Sequence, residues 1–253
     1  MTTNSRCRPT MKTFERDSSL DLIKWIALFT MIIDHTWFVL PNEIQENLSS
    51  MRIIGRLAYP LFCLAIAVNV VRQPISYPVG LKYLSGILLF AILSQSPYSR
   101  YFDNGHLNIL FVIALGLVIA QAMHHRTPGL ILCGILSLLI TIALCPVLSY
   151  GVAGVLLPTA LVIALQARKL EIKIVSWSLS ALLAAIANVG SSILLLPDLP
   201  TMDHAVIIAA ALAPVLGLTL LQIQVPPLRS VKGWLYPVYP IHLLLLSSLS
   251  ISF

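Results

Sequence analysis

Long unbroken apolar runs constrain this chain more than any other feature. A helix needs about 20 predominantly apolar residues to cross the hydrocarbon of a bilayer. Runs of that order lie near 20–40, 52–71, 79–96, 106–124, 129–147, 150–167, 174–194, 204–223 and 234–252. The third and sixth are short, so the count of about nine has eight and ten as neighbours. Only 10% of the residues are charged and 58% are hydrophobic. A soluble domain is about a quarter charged, so a free soluble protein is excluded, and so is a disordered chain, which would be poor in apolar residues. A β-barrel would show short alternating segments instead. The predicted fold is all-α, a polytopic integral membrane helical bundle. Residues 1–19 form a basic tail and 20–253 a single transmembrane domain. No internal repeat or second domain is evident.

Charge orients the bundle. The formal net charge is +6, but its placement matters more than its size. With the N-terminus in the cytoplasm, nine spans leave Arg6, Arg8, Lys12, Arg16, Arg72, Lys82, Arg126, Arg168, Lys169, Lys173, Arg229 and Lys232 on that side. The opposite loops then hold only Arg52 and Arg100, together with the acidic Glu43, Glu46, Asp103, Asp198 and Asp203. Such a bias is the positive-inside pattern of membrane proteins. The crowded basic N-terminus is therefore read as a membrane flank, and no nucleic-acid partner is expected. The run from Leu20 is too long for a signal-peptide core and no small-residue cleavage site follows it, so it reads as a retained first helix. Cys7, Cys63, Cys133 and Cys145 show no CxxC spacing, and the six histidines show no HxxxH or HExxH. Neither a disulfide framework nor a metal site is expected.

Lys24, Asp34 and Arg56 sit inside predicted spans. Intramembrane ions are costly and call for a partner, a wet cavity or a function. Lys24 and His35 lie eleven residues apart on the first span. At 3.6 residues per turn that is about 1100°, three turns plus about 20°, with a rise of about 16 Å. They share a face without touching. A cation near the cytoplasm and an imidazole deep in the outer half suit an elongated anionic ligand such as a coenzyme A thioester. The alternative is a snorkelling Lys24 paired with Asp21 and a structural His35. Asp34 points about 100° away from His35, so it is not expected to orient that ring. It lies at the depth of Arg56, and an ion pair joining the first two helices is expected. Pro60, beside Tyr59, frees a carbonyl that needs another partner in a membrane.

Other polar groups sit at the span mouths. His106 and Asn108 open the fourth span in DNGHLNILF, and Tyr150, Gly151 and Gly154 open the sixth in SYGVAG. Tyr236, Tyr239 and His242 are spaced by threes in YPVYPIH, one stripe if Pro237 and Pro240 permit a helix. An interfacial aromatic belt would also explain the tyrosines. Asn188, inside the seventh span, reads as an interhelical hydrogen-bonder or a site residue. His124, His125 and His204 fall at span ends, where solvation is expected.

The segments IIDH, GRLAYPLFCLAIAVN, GHLNILF, SYGVAGVL and PVYPIHLLLL, in this order from about Leu20 to Leu246, resemble the TraX family. That family is known for membrane proteins that N-acetylate the F-type conjugative pilin. More distantly the chain is similar to the multi-span acyltransferases that modify glycans, where a basic or polar residue, ten residues and a histidine recur on the first helix. Lys24-x10-His35 fits that signature, with lysine where arginine is commoner.

The resemblance implies a multi-pass protein of the bacterial inner membrane that uses acetyl-CoA as co-substrate. It implies His35 as catalytic base, with Asp34 beside it in the motif. Lys24 and Arg56 are assigned to the acyl donor. Tyr59, His106, Asn108, Tyr150, Asn188 and His242 are assigned to the acceptor or the oxyanion. The expected acceptor is a pilin N-terminal amine, and the expected surroundings are membrane lipids. An acyl-His35 intermediate is a variant of this chemistry. An O-acetyltransferase acting on a glycan or lipid differs only in acceptor. A transporter or pilus assembly factor is the non-enzymatic alternative.

Overall fold

A computed structural model describes residues 18–75, 78, 80–102, 105–189, 201–231 and 235–250. Arg6, Cys7, Arg8, Lys12, Arg16, Asp103, Asp198 and Lys232 lie outside the described residues, as does the side chain of Tyr236. Each of the nine apolar runs carries a helix. The first run forms α1 (Ser18–Trp37), and two short helices follow, α2 (Asn42–Asn47) and α3 (Ser50–Gly55). Then come α4 (Ala58–Arg72), α5 (Leu81–Phe102), α6 (Ile109–His125), α7 (Pro128–Ala143), α8 (Gly151–Gln166), α9 (Leu170–Val189), α10 (Thr201–Leu220) and α11 (Leu235–Ser250). Among the described residues, Ser50–Arg72, Leu170–Val189 and Met202–Leu220 are long and apolar enough to cross a membrane by length and composition, and four shorter helices are apolar.

The second run departs from a single straight helix. It divides at Arg56–Leu57, where the chain is held by i→i+3 bonds, Arg56 N–H to Ile53 O at 3.3 Å and Leu57 N–H to Ile54 O at 3.2 Å. Pro60 sits in the first turn of α4, where a missing N–H costs no bond within the helix. The third run extends further than expected, so Arg100 lies in the last turn of α5. Arg52 lies in the last turn of α3. Neither is a loop residue. At the other mouth, Asn108 caps α6 by accepting from Leu110 N–H at 3.0 Å, and Pro128 occupies the first turn of α7.

Two helices turn their large apolar residues outward. On α7, Gly134, Ser137 and Thr141 are buried while Leu132, Ile135 and Leu139 are half exposed. On α9, Ser176, Ser180, Ala184 and Ala187 are buried while Ile174, Val175 and Leu182 are exposed. A water-soluble bundle would show the reverse. Small residues let helix backbones approach in lipid, where large apolar side chains need no cover. Buried hydroxyls return their hydrogens to helix carbonyls, as Ser137 does to Leu115 O at 3.0 Å and Thr141 to Ser137 O at 2.7 Å. These faces belong to a membrane-associated bundle.

The core is centred on α4, whose Leu61, Cys63, Leu64, Ala67 and Val70 are fully buried. Around it pack α1, α6, α8 and α10, while α11 lies mainly against α5. This arrangement brings the C-terminal half of α1 beside α3 and the middle of α11.

Candidate functional site

α1 delivers Asp34 and His35 one residue apart to two different neighbours. Asp34 faces α3. Its Oδ1 accepts from Arg52 Nη1 at 2.7 Å and from Arg56 Nη2 at 2.9 Å, and its Oδ2 accepts from Arg56 Nη2 at 3.0 Å. The expected Asp34–Arg56 pair therefore forms, and Arg52 joins it. Arg52 was expected in an outer loop. Its spacing of four from Arg56, one helical turn, is the signal that places both on one face. Gly55 makes the approach feasible, because a Cβ there would collide with the Asp34 side chain. Arg56 Nη1 also reaches Asn188 Oδ1 on α9 at 3.3 Å. The Arg52 guanidinium lies over the ring of Phe38, 4.5 Å from its centroid. One carboxylate and two guanidinium groups leave this cluster with one net positive charge.

His35 faces α11. Its Nδ1 lies 2.7 Å from His242 Nε2, with the two rings nearly parallel at 9°. His242 Nδ1 lies 2.9 Å from the Val238 carbonyl. α11 is helical through Pro237 and Pro240, so Tyr239 and His242 do share a stripe, and both are buried. Phe102 meets the His35 ring edge-on at 5.4 Å between centroids. The Tyr101 hydroxyl donates to the His35 backbone carbonyl. That contact was not foreseen, since Tyr101 lies beyond the third apolar run.

A cavity of about 380 Å³ connects the Asp34 cluster with His35; His242, expected at the acceptor or oxyanion, stands behind His35 and does not line it. Its lining takes in Lys24, Asp34, His35, Arg56, Tyr59, His106, Tyr150 and Asn188. Met31, Phe62, Ile66 and Ile113 supply apolar walls between its ends. Asn69 in the last turn of α4 and Tyr83 in the first turn of α5 line it as well, with Asn69 Nδ2 3.5 Å from the Tyr83 hydroxyl. Lys24 and His35 thus line one space, as their shared face requires. A second cavity, about 620 Å³, meets the first at Arg52, Arg56 and Asn188 and is otherwise lined by Trp37, Gln45, Glu46, Asp203 and their neighbours.

Tyr59 is buried beneath this space and stacks on Tyr150, with ring centroids 4.2 Å apart. Gly154 admits the pair, since a Cβ there would lie 3.0 Å from the Tyr59 hydroxyl. That hydroxyl is buried with no well-formed hydrogen bond among the described residues, beside the weakly bonding Cys63 thiol four residues on along α4. Orphaned buried polar atoms are rare in native structures and call for an explanation such as a ligand or water.

Asn108 does not line the cavity. Its Oδ1 caps α6, and its Nδ2 donates to Ala91 O at 2.7 Å and to Gln95 Oε1 at 3.0 Å. Both hydrogen-bonding atoms of the side chain are engaged, Oδ1 within α6 and Nδ2 across to α5. His106 sits beside it, and its carbonyl accepts from Gln95 Nε2 at 2.9 Å. His124 and His125 are not simply solvated. His125 is buried with Nδ1 2.8 Å from Ile75 O, and His124 Nε2 is 3.3 Å from Gln73 O, so both hold the segment after α4.

Comparison with known proteins adds a family. The family model described as TraX protein matches residues 19–250. The chain is also similar to an uncharacterized protein, RP591, of Rickettsia prowazekii (strain Madrid E), at 36% identity over 97 residues. That stretch covers 33% of this chain and 38% of the relative, so the chain spans well under half the length of the curated relative it matches. No solved structure matches.

Proposed function

The chain belongs to the TraX family, a family tied to conjugation and its pilin, and from that premise we propose that it is a multi-pass acyltransferase of the bacterial inner membrane. In this reading it crosses the membrane about nine times with its N-terminus in the cytoplasm, and residues 20–253 act as one catalytic unit. It transfers an acetyl group from acetyl-CoA to an acceptor, foremost the terminal amine of a pilin subunit. A glycan or lipid hydroxyl is the alternative acceptor.

One observation carries the reading. A single cavity is lined by Lys24, by His35 and by Tyr59, whose buried hydroxyl makes no well-formed hydrogen bond among the described residues. Acetyl-CoA supplies the acetyl group in activated thioester form. Lys24, with Asn69 and Tyr83, provides a cation and hydrogen-bonding groups suited to its phosphates. The apolar walls between Lys24 and His35 suit a slender, weakly polar arm and exclude water from the reacting centre.

His35 takes the proton of the attacking amine or hydroxyl, the role of a general base. Transfer forms a bond from the acceptor nitrogen or oxygen to the acyl carbon and breaks the carbon–sulfur bond. The proton held on His35 then passes to the departing thiolate. Donors aimed at developing oxyanion charge are worth most in a water-excluded site. Arg56 is engaged with Asp34 and Asn188, and Asn108 with its cap. The Tyr59 hydroxyl, held by no more than the weak Cys63 thiol, takes the oxyanion. The net positive charge of the Asp34–Arg52–Arg56 cluster favours the same charge.

Ligand-dependent unfolding tests this reading. A ligand that binds the folded state raises its apparent stability by mass action. Purified protein in detergent is expected to melt higher as acetyl-CoA or CoA is titrated. Lys24→Ala should weaken the rise, and His35→Ala should keep it while abolishing acetyl transfer to pilin, followed by intact mass. Monodisperse protein with no rise at any concentration, or His35→Ala with near-normal transfer, would overturn the proposal.

A further inference from the structure

His35 and His242 come from opposite ends of the chain, and the structure assigns His242 the role of a positioning residue that holds the His35 ring in a single tautomer. This role deepens the acyltransferase reading and rests on it only for its kinetic consequence.

Counting protons along the contacts gives the tautomer. The Val238 carbonyl, 2.9 Å from His242 Nδ1, can only accept a hydrogen bond, so His242 Nδ1 carries a hydrogen. In the neutral ring, His242 Nε2 is then bare and accepts. Its partner at 2.7 Å is His35 Nδ1, which must donate. A neutral His35 with its hydrogen on Nδ1 has a bare Nε2, the lone pair a base requires. Among the described residues this is the one hydrogen bond of the His35 ring, so Nε2 is left to the cavity that His35 lines. A helix carbonyl thus dictates the tautomer of a ring two contacts away. The backbone of α11 anchors the relay, because Val238 and His242 are four apart on one helix.

The nearby groups do not duplicate this function. Asp34 is engaged with Arg52 and Arg56, and Tyr101 donates to the His35 carbonyl rather than to its ring. When Nε2 gains a proton, the ring still donates through Nδ1 to the bare Nε2 of His242. The relay therefore also stabilises the cation that forms during transfer. The nitrogen that orients a histidine is as much a part of its chemistry as the one that reacts.

The test is histidine-selective 15N labelling of the full chain in nanodiscs without substrate. Long-range 1H–15N correlations then read which ring nitrogen of each neutral histidine carries the hydrogen. His35 is identified by the signals lost in His35→Ala. Wild type should show His35 with its hydrogen on Nδ1. In His242→Ala the ring should move to the Nε2–H form that free imidazoles prefer. In His242→Gln, whose amide oxygen can accept from Nδ1, the Nδ1–H form should return.

Acetyl transfer should follow the tautomer. In His242→Ala kcat is expected to fall about 10²–10⁴-fold, the range of a general base, with the KM for acetyl-CoA unchanged and partial recovery in His242→Gln. Wild-type His35 in the Nε2–H form, or an Nδ1–H form that persists in His242→Ala, overturns the inference. Should His242→Ala not fold, the wild-type and His242→Gln spectra decide alone. The expected tautomers with no transfer to any acceptor would uphold the relay and remove the acyltransferase reading.

Discussion

Two adjacent residues on α1 illustrate how much a single helical step separates. Asp34 turns toward α3 and satisfies two guanidinium groups; His35 turns toward α11 and meets another imidazole. The Lys24–His35 face and the Asp34–Arg56 pair were both legible, because helical geometry and the cost of an intramembrane charge dictate them. The His35–His242 contact was not, since 207 residues separate the two rings and no local rule pairs them. Tyr59 offers a test at this scale. Its hydroxyl makes no well-formed hydrogen bond among the described residues and only a weak contact with the Cys63 thiol, so removing it forfeits little. Tyr59→Phe should leave the melting temperature unchanged or slightly raised. If the hydroxyl holds the oxyanion, kcat should fall about 10²–10³-fold, as for loss of one oxyanion donor. A Tyr59→Phe protein with undiminished kcat would return that role to another donor.

Among the elements, the helix termini at the His35 end of the cavity do most to build the site. Arg52 and Arg56, one turn apart at the end of α3, reach Asp34 together across Gly55. Gly151, at φ 54°, turns the chain into α8 and leaves Tyr150 against Tyr59. Asn108 belongs to this scale rather than to the chemistry. It joins the start of α6 to Ala91 and Gln95 of α5, and through α5 it supports Tyr98 and Phe102 on the cavity wall. Asn108→Ala should cost about 1–2 kcal/mol, from a lost cap and a lost buried hydrogen bond. Thermal or denaturant unfolding would register it, while the KM for acetyl-CoA in the surviving folded fraction should stay put. The sequence offered Asn108 and His106 as equals at the same mouth. What distinguishes them is that an asparagine before an apolar run is also a helix cap, and that reading of the pattern wins here.

At the scale of the whole molecule, basic-residue bias sets the expected membrane orientation. A single cysteine placed at Ser49, between α2 and α3, should react with a membrane-impermeant maleimide added to intact cells from the periplasmic side. A single cysteine at Arg168, between α8 and α9, should react only after permeabilisation. The reverse pattern would invert the proposed topology and put the His35 end of the cavity in the cytoplasm. The apolar runs alone determined that the chain is a helical, membrane-associated bundle, and each run carries a helix because backbone polar groups in lipid must pair within each segment. Spacing along one helix alone determined that Lys24 and His35 share a face. Only the tertiary structure decided which helix covers that face, that Arg52 joins Arg56 on Asp34, that Asn108 is a cap, and that His242 closes on His35. Those partners are chosen by packing between helices distant in sequence. In a membrane, where large apolar side chains face lipid and interior contacts are made by small and polar residues, hydropathy marks where helices run but carries little information about which helices meet.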